Sequence, residues 1–530
     1  MKMFRKWTGS KPQVMKELPS VDDESAQLTS DIGQNELILK QVFQNCSDII
    51  FRKIHISGHT QWLIVYLESL VDDTNLDDHV LRPLMSGYAS HDDSAPDEIE
   101  GVDDRVLPLG KIQRTSKVTD IVRHLLIGQV AILAAEDTRA MTVAVNGRVQ
   151  RNPEEPPSEL VLRGPRDGFI ENISTNMGLL RSRIKTSRLK MEAYTVGELT
   201  QTEVVIAYVD GIADDNVIEE VRKRVTSIQI DGVLESGYIE QFIEDLPLSP
   251  FPQVNSTERP DVIAAGLLKG KIAILVDTTP FVLLVPMTFW TGLQASEDHY
   301  NRSIFATFVR WIRFLFIFIS IFAPSLYVAV TTFHQEMIPT NLMLSIAAAR
   351  EAVPFPALIE TLLMETMFEA LREAGVRMPR QVGQAVSIVG ALVIGQAAVE
   401  AGIISAPVVI VVATTGIASF TVPRFNFANG IQLLRFPMIL LAGTLGLYGI
   451  VLGFLGTLLH VTALRSFGTP YFTPLGPLTY KSLKDVLISA PIWEEAEAMR
   501  SSTAGTNNSA NVRQGQPSNS NQGNRPSGGN

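Results

Sequence analysis

The chain is nearly devoid of cysteine. Cys46 is the single one in 530 residues, which excludes an intramolecular disulfide and a CxxC metal or redox pair; taken alone it suits a small buried position. Histidine is also scarce, eight residues scattered along the chain, so no ligand constellation for a metal can be assembled. No Walker loop, GxGxxG turn, HExxH helix or GxSxG elbow occurs. GLLKGK at 266–271 has glycines and lysines but neither the phosphate-loop spacing nor its Ser or Thr. The sequence thus gives enzyme chemistry no foothold, and no cofactor is expected. The opening MKMFRKWTGSKPQ is not followed by the apolar core of a secretory signal, so the N-terminal region is expected to stay cytoplasmic.

Positive charge is in deficit too, with 45 Lys and Arg against 56 Asp and Glu. The deficit is uneven: residues 1–300 carry 30 basic and 45 acidic residues, residues 301–530 carry 15 and 11. A half this acidic repels phosphate backbones, which argues against nucleic acid as a partner. Mean hydropathy is nevertheless positive at +0.15, with 19% of residues charged. The apolar residues must therefore be concentrated, and they lie in the second half.

Residues 1–30 are polar and acidic and are expected to be disordered. From Asn35 the pattern becomes that of a folded α/β region, starting with an amphipathic helix through Leu37, Ile38, Val42 and Phe43. Trp62–Tyr66 and Val130–Ala134 read as strands, and 77–85 and 118–126 as helices. The acidic run at 91–104 lacks the spacing of a calcium loop. RNPEEPPSE at 151–159 has three prolines and reads as a linker, separating a first subdomain (31–150) from a second (151–300). In the second, 202–211 and 271–277 are strand-like and 280–286 is apolar. DDNVIEEVRKRV at 214–225 places Val217, Val221 and Val225 on one helical face. Asp210 and Asp214 fit a strand end and a helix N-cap better than a magnesium site. Arg163 and Arg166 suit either an anion or a structural ion pair. Strands alternating with helices favour βαβ units.

Four charge-free stretches then predict an all-α polytopic membrane domain over 301–465: Phe314–Phe333, Val382–Val399, Ile403–Val422 and Pro437–Leu459. About 20 apolar residues are needed to cross a hydrocarbon core of about 30 Å. Residues 353–375 are apolar on one side and carry Glu360, Glu365, Glu369, Arg372 and Glu373. That segment is either interfacial or faces a water-filled space. If it crosses, the basic residues Arg372, Arg377, Arg380, Arg424 and Arg435 are most easily cytoplasmic and the C-terminus lies outside; four spans keep it inside. A juxtamembrane segment (466–500) and a Ser/Asn/Gly-rich disordered tail (501–530) complete the chain.

Several long runs resemble the bacterial spore germination receptor A-subunit family, also called the GerA family. They are RGPRDGFIENISTN at 163–176, Pro250–Gln253 with TERPDVIAAGLLKGKIAILVDTTPFVLLVP at 257–286, EDHYNR at 297–302, FAPSLYVAVTTFHQEMIPT at 322–340 and VGQAVSIVGALVIGQAAVEAGIISAP at 382–407. The resemblance extends from about Asn35 to about Trp493. Thr278 stands where that family commonly has glycine, which restricts the local turn. The resemblance implies the inner membrane of a dormant endospore, a complex with a transporter-like B subunit and a lipoprotein C subunit, and a B subunit that binds the nutrient. It also implies that the A subunit oligomerises around a path for monovalent cations. An accessory A-type subunit, as in the stage V sporulation paralogue, and a non-conducting scaffold for receptor clusters are the alternatives.

Within the membrane half, Gly383, Ser387, Ala391 and Gly395 form a small-residue stripe that admits a close helix neighbour. Val386, Val389 and Val393 fall on another side, where a ring of valines from several subunits forms an apolar gate; ordinary helix packing explains both stripes as well. Glu360, Glu365 and Glu400 suit a cation-attracting vestibule; Gln384 and Gln396 are further polar groups in the span 382–399. A solvated helix face, or for Glu400 the membrane interface, accounts for the three carboxylates equally.

Overall fold

The computed structural model describes residues 26–56, 60–89, 112–145, 155–156, 158–159, 161, 163–377, 395–476, 486 and 488–489. Two five-stranded antiparallel sheets carry the first half. The first joins β1 (Ile49–Ile56), β2 (Thr60–Leu67), β3 (Ile112–Thr115), β4 (Gln129–Ala134) and β5 (Ala140–Ala144) in the order β1-β2-β4-β5-β3. The second joins β6 (Leu189–Val196), β7 (Thr202–Val209), β8 (Asn255–Thr257), β9 (Ile272–Val276) and β10 (Val282–Val285) in the order β6-β7-β9-β10-β8. Every named strand pair is antiparallel, which corrects the expectation of βαβ units. The physical reason is connection length: short links join β1 to β2, β4 to β5, β6 to β7 and β9 to β10, and a parallel pair needs a crossover of a dozen residues or more.

The two strand orders are the same, and the likeness reaches individual residues. Leu125–Ala134 reads LLIGQVAILA and Leu267–Val276 reads LLKGKIAILV. Gly128 and Gly270 both have positive φ (85° and 81°), as do Glu136 and Thr278 (68° and 70°). In each unit an asparagine bonds the backbone six residues before it. Asn35 spans Thr29 N–H and C=O at 2.9 and 2.6 Å, and Asn176 spans those of Ile170 at 2.9 and 2.6 Å. The first half is one α/β unit built twice.

Helices cover both faces of each sheet, which is why the central strands read as unbroken apolar runs. In the first unit these are α1 (Ile32–Val42), α2 (Asp73–Leu76), a π turn (Asp77–Leu81) leading into α3 (Arg82–Ala89), and α4 (Val118–Leu125). In the second they are α5 (Ile173–Arg183), α6 (Asp215–Thr226), α7 (Ser236–Ile243) and α8 (Pro260–Leu268). Val204 and Ile206 pack with Ile218 and Val221 of α6 on one face, while Val205 and Ala207 pack with Leu180 of α5 and Ile263 of α8 on the other. α1 turns Ile32, Leu39 and Val42 inward and leaves Leu37 exposed, a rotation from the face expected of it. Asp214 caps α6 by accepting from Asn216 N–H at 2.9 Å.

The units meet at a polar seam. Asp48 and Arg181 form a fully buried bidentate pair, Nε to Oδ2 at 2.9 Å and Nη2 to Oδ1 at 2.8 Å. Beside it, Ser47 N–H donates to Met191 O at 2.8 Å and Met191 N–H to Asn45 O at 2.9 Å. Cys46 lies partly buried in this seam.

The second half is helical: α9 (Phe289–Leu293), α10 (Glu297–Tyr300), α11 (Ser303–Phe333), α12 (Thr340–Arg350), α13 (Ala357–Arg377), a helical turn at 395–400, α14 (Ala406–Ser419) and α15 (Phe425–Ala463), followed by a ribbon of β11 (Arg465–Ser466) and β12 (Thr469–Pro470). α11 and α15 are long and apolar enough to cross a membrane. α14, within the expected span 403–422, is shorter. Residues 91–104, 382–394 and 501–530 lie outside the described residues.

The expected single span 437–459 is divided. Gly446 has φ 63° and ψ −142°, which reverses the chain inside α15. The arms 425–445 and 447–463 fold against each other, so that a Cβ at Gly449 would lie 2.1 Å from Leu441 O and one at Gly453 2.5 Å from Met438 Sδ. Only glycine admits that approach. A straight helix of 39 residues would be about 58 Å long, twice the hydrocarbon core; the first arm, at about 30 Å, matches it.

Thr278 holds its positive φ although it is β-branched, a strain of roughly 1 kcal/mol that glycine does not carry. Thr278→Gly is expected to raise the thermal midpoint of the detergent-solubilised chain, read by circular dichroism; an unchanged or lower midpoint contradicts the strain.

Candidate functional site

The helical half is organised by a proline. Pro324 sits inside α11 and lacks the N–H that would bond the carbonyl four residues earlier. That carbonyl belongs to Ser320, and Arg435 on the first arm of α15 takes it up, Nε donating to Ser320 O at 3.0 Å and Nη2 to Ser320 Oγ at 3.1 Å. The same guanidinium donates through Nη1 to Glu365 Oε2 of α13 at 2.7 Å. Arginine and glutamate side chains are 1% and 0% exposed. One arginine thereby ties three helices. Arg435, read from sequence as most easily cytoplasmic if 353–375 crosses, is a buried residue within a helix.

Glu360, one turn and a half earlier on α13, is equally buried. Its Oε1 accepts from Ser405 N–H at the start of α14, and its Oε2 lies 3.6 Å from Arg350 Nε at the end of α12. The two carboxylates read from sequence as a vestibule or a solvated face thus face neighbouring helices, with arginines matching their charge inside the protomer. Glu400 behaves differently: it is exposed and accepts from Gln396 Nε2 at 2.8 Å. Gly395 is buried, with Val409 Cγ1 3.7 Å from where its Cβ would be. Val386, Val389, Val393, Gly383, Ser387 and Ala391 lie outside the described residues.

The sheet-bearing half is fastened to the helices by a second set of charges. Arg313 of α11 bonds Asp298 of α10 (Nη1 to Oδ2 2.9 Å) and Leu293 O (2.7 Å). Arg259 pairs with Asp261 at 2.8 Å and reaches Pro165 O at 3.1 Å, while Tyr300 OH donates to Asp261 at 2.6 Å. Three of the sequence runs noted above, 163–176, 257–286 and 297–302, therefore converge on one knot. Arg166 stands apart, exposed and 4.0 Å from Glu155.

At the base of α15 a cavity of about 370 Å³ opens between the second sheet and the helices, lined among others by Glu159, Glu235, Glu240, Asn255 and Arg424. Arg424 donates to Glu159 Oε1 at 2.8 Å, and Thr257 Oγ1 to Glu159 Oε2 at 2.9 Å. Among the described residues Glu240 has no such partner; burial, and then the charges of Glu244 and Glu235, push it up from 4.5 to about 7. Sequence reasoning missed this cavity because its residues come from five separated stretches.

A family model described as Bacillus/Clostridium GerA spore germination protein matches residues 37–501. The chain belongs to that family. The resemblance carried by the long sequence runs is borne out by relatives along most of the chain. Spore germination protein KA of Bacillus subtilis is 44% identical over 88% of this chain and 86% of its own length, and spore germination protein GerLA of Bacillus cereus 39% over 84% and 90%. An uncharacterized membrane protein of Bacillus subtilis, YfkQ, is 46% identical over 91% and 93%. A crystal structure of the N-terminal domain of the A subunit of the Bacillus megaterium spore germinant receptor GerK3 is 34% identical, covering 50% of this chain and 98% of that one, with a TM-score of 0.40.

Two outcomes test the site. Removing one partner of a buried ion pair leaves an unmatched charge, at roughly 3–5 kcal/mol, whereas replacing both by apolar residues is nearly neutral. Arg435→Met alone is expected to lower the thermal midpoint of the solubilised chain sharply, and Arg435→Met with Glu365→Leu to restore most of it. For Glu240, raised from 4.5 to about 7, the unfolded chain releases its proton before the folded one does. Stability is therefore lost as pH rises from 4.5 to about 7. Glu240→Gln is expected to raise the unfolding midpoint above that window and leave it unchanged below.

Proposed function

We propose that the chain is the A subunit of a spore nutrient-germinant receptor, lodged in the spore inner membrane as a multi-pass protein. It assembles with a transporter-like B subunit and a lipoprotein C subunit, and with further copies of itself. The assembly surrounds a path for monovalent cations that opens when nutrient is sensed. The match of the GerA family model over residues 37–501 carries this reading. The names borne by two relatives and by the GerK3 structure, germination proteins and a germinant-receptor A subunit, support the receptor role.

The conducting role rests on the character of the helical half. Among the described residues two helical runs are long and apolar enough to cross a membrane. The interior charges Glu360, Glu365 and Arg435 are paired within the protomer, which favours a fixed helix arrangement over an open hydrated vestibule at those positions. The gate is then assigned to Val386, Val389 and Val393, where an apolar ring blocks hydrated ions by dewetting.

Ion flux through the reconstituted A–B–C complex tests the proposal. Val389→Ser or Val393→Ser is expected to raise cation flux without nutrient and to make spores germinate prematurely. Resting flux equal to wild type in both variants removes the gate. Absence of nutrient-dependent flux from a complete wild-type complex leaves a scaffold or an accessory subunit as the role.

A further inference from the structure

We infer that the loop Leu246–Phe251, with the outer face of α7 that precedes it, is a membrane-interface anchor: the sheet-bearing half itself touches lipid. Among the described residues before position 300, ten large apolar side chains are exposed, and five of them, Leu234, Tyr238, Phe242, Leu246 and Leu248, fall within fifteen residues. Leu248 is the most exposed of all, at 96%. Such clustering marks a contact surface, whereas single exposed apolar residues do not.

Position identifies the occupant. Ser249 Oγ lies 2.9 Å from His460 Nε2 and the Phe251 ring 6.2 Å from the His460 ring. His460 belongs to the last turn of the second arm of α15, and its neighbour Leu459 is 70% exposed on the arm's outer surface. The loop is thus continuous with the surface that a crossing hairpin presents to lipid, at the level where the hairpin ends. Amphipathic segments settle there with their apolar side chains at the boundary between headgroups and acyl chains.

The loop's backbone donors are also largely met or absent. Irregular chain is tolerated near hydrocarbon only when its polar groups are met internally. Pro247, Pro250 and Pro252 have no N–H to satisfy. Leu246 N–H donates to Gln253 Oε1 at 3.0 Å and its carbonyl accepts from Gln253 Nε2 at 2.8 Å. Ser249 N–H donates to Leu246 O at 3.0 Å and Phe251 N–H to Ser249 Oγ at 3.2 Å. Of the four N–H groups in 246–252 only that of Leu248 is without a partner among the described residues; the carbonyls of Leu246 and Pro252 are also met, by Gln253 Nε2 and Tyr471 OH, while those of 247–251 stay open to the water of the headgroup layer. The run Pro250–Gln253, prominent in the sequence and assigned no role by the channel reading, supplies the prolines and the glutamine that make this possible.

The test uses the full chain with Cys46→Ser, reconstituted in vesicles of phosphatidylethanolamine and phosphatidylglycerol in equal parts. An environment-sensitive fluorophore is placed on Leu248→Cys or Leu246→Cys, on Leu455→Cys in the hairpin and on Leu37→Cys of α1. Nitroxide-bearing lipid and aqueous iodide are the quenchers. The expected result is a blue-shifted label at 246 and 248, quenched several-fold more by a nitroxide placed just below the headgroups than the label at 37, and shielded from iodide. A label at 248 as open to iodide as that at 37 overturns the anchor. So does one shielded from both quenchers, which indicates a second copy or another protein on this face. The inference needs a hairpin in lipid but no ion conduction. A label at 455 quenched by nitroxide lipid while that at 248 is not therefore sinks the anchor alone; no lipid quenching at 455 removes the membrane reading beneath it.

Discussion

The helical half depends on one hydrogen-bond deficit and its repair. A proline at 324 leaves the Ser320 carbonyl without its helical donor, and the guanidinium of Arg435 fills it while pairing with Glu365. In a bundle with little water, an unmet carbonyl and an unmet carboxylate are each strongly unfavourable, so the three groups fix the relative positions of α11, α13 and α15. Hydrophobic contact alone would not set that register, because lipid tails are as apolar as the helices. Arginine is suited to the task because its planar fork reaches two acceptors in different directions.

A similar use of arginine recurs where the sheets meet the helices and where they meet each other. Arg181 joins the two repeated units through Asp48, Arg259 gathers the linker near 165 and the start of α8, and Arg313 holds α10 against α11. These pairs are buried, so they contribute geometry more than stability. Glu159 with Arg424, and the loop at 246–251, likewise tie the sheet-bearing half to the base of the hairpin.

Much of this was legible in the sequence, for identifiable reasons. Strands β2, β4, β7 and β9 are buried on both faces and so announce themselves as short apolar runs, and α6 shows its inward face through Val221 and Val225. Strand direction was not legible, since an apolar run carries no mark of its neighbour's orientation. The break at Gly446 escaped because five glycines share that stretch and composition does not say which one takes the reversed conformation. Pairing of Glu365 with Arg435 escaped because the partners lie 70 residues apart, and that of Glu360 with Arg350 because it crosses the irregular link between α12 and α13, where helical spacing gives no guide. The duplication did leave a readable trace, the two ten-residue runs at 125 and 267, visible on aligning the chain with itself.

Repetition of a sheet-forming unit carries a hazard that the seam reduces on the second copy. The long outer strand of each copy is a template for further strand addition, and equivalent edges on successive molecules would match. Here residues 45–47 occupy β6 at Met191. The opposite borders, β3 and β8, run for only four and three residues. Both borders of the second sheet are thus blunted, and so is the β3 border of the first, which leaves β1, eight residues long, as the one extended outer strand among the described residues.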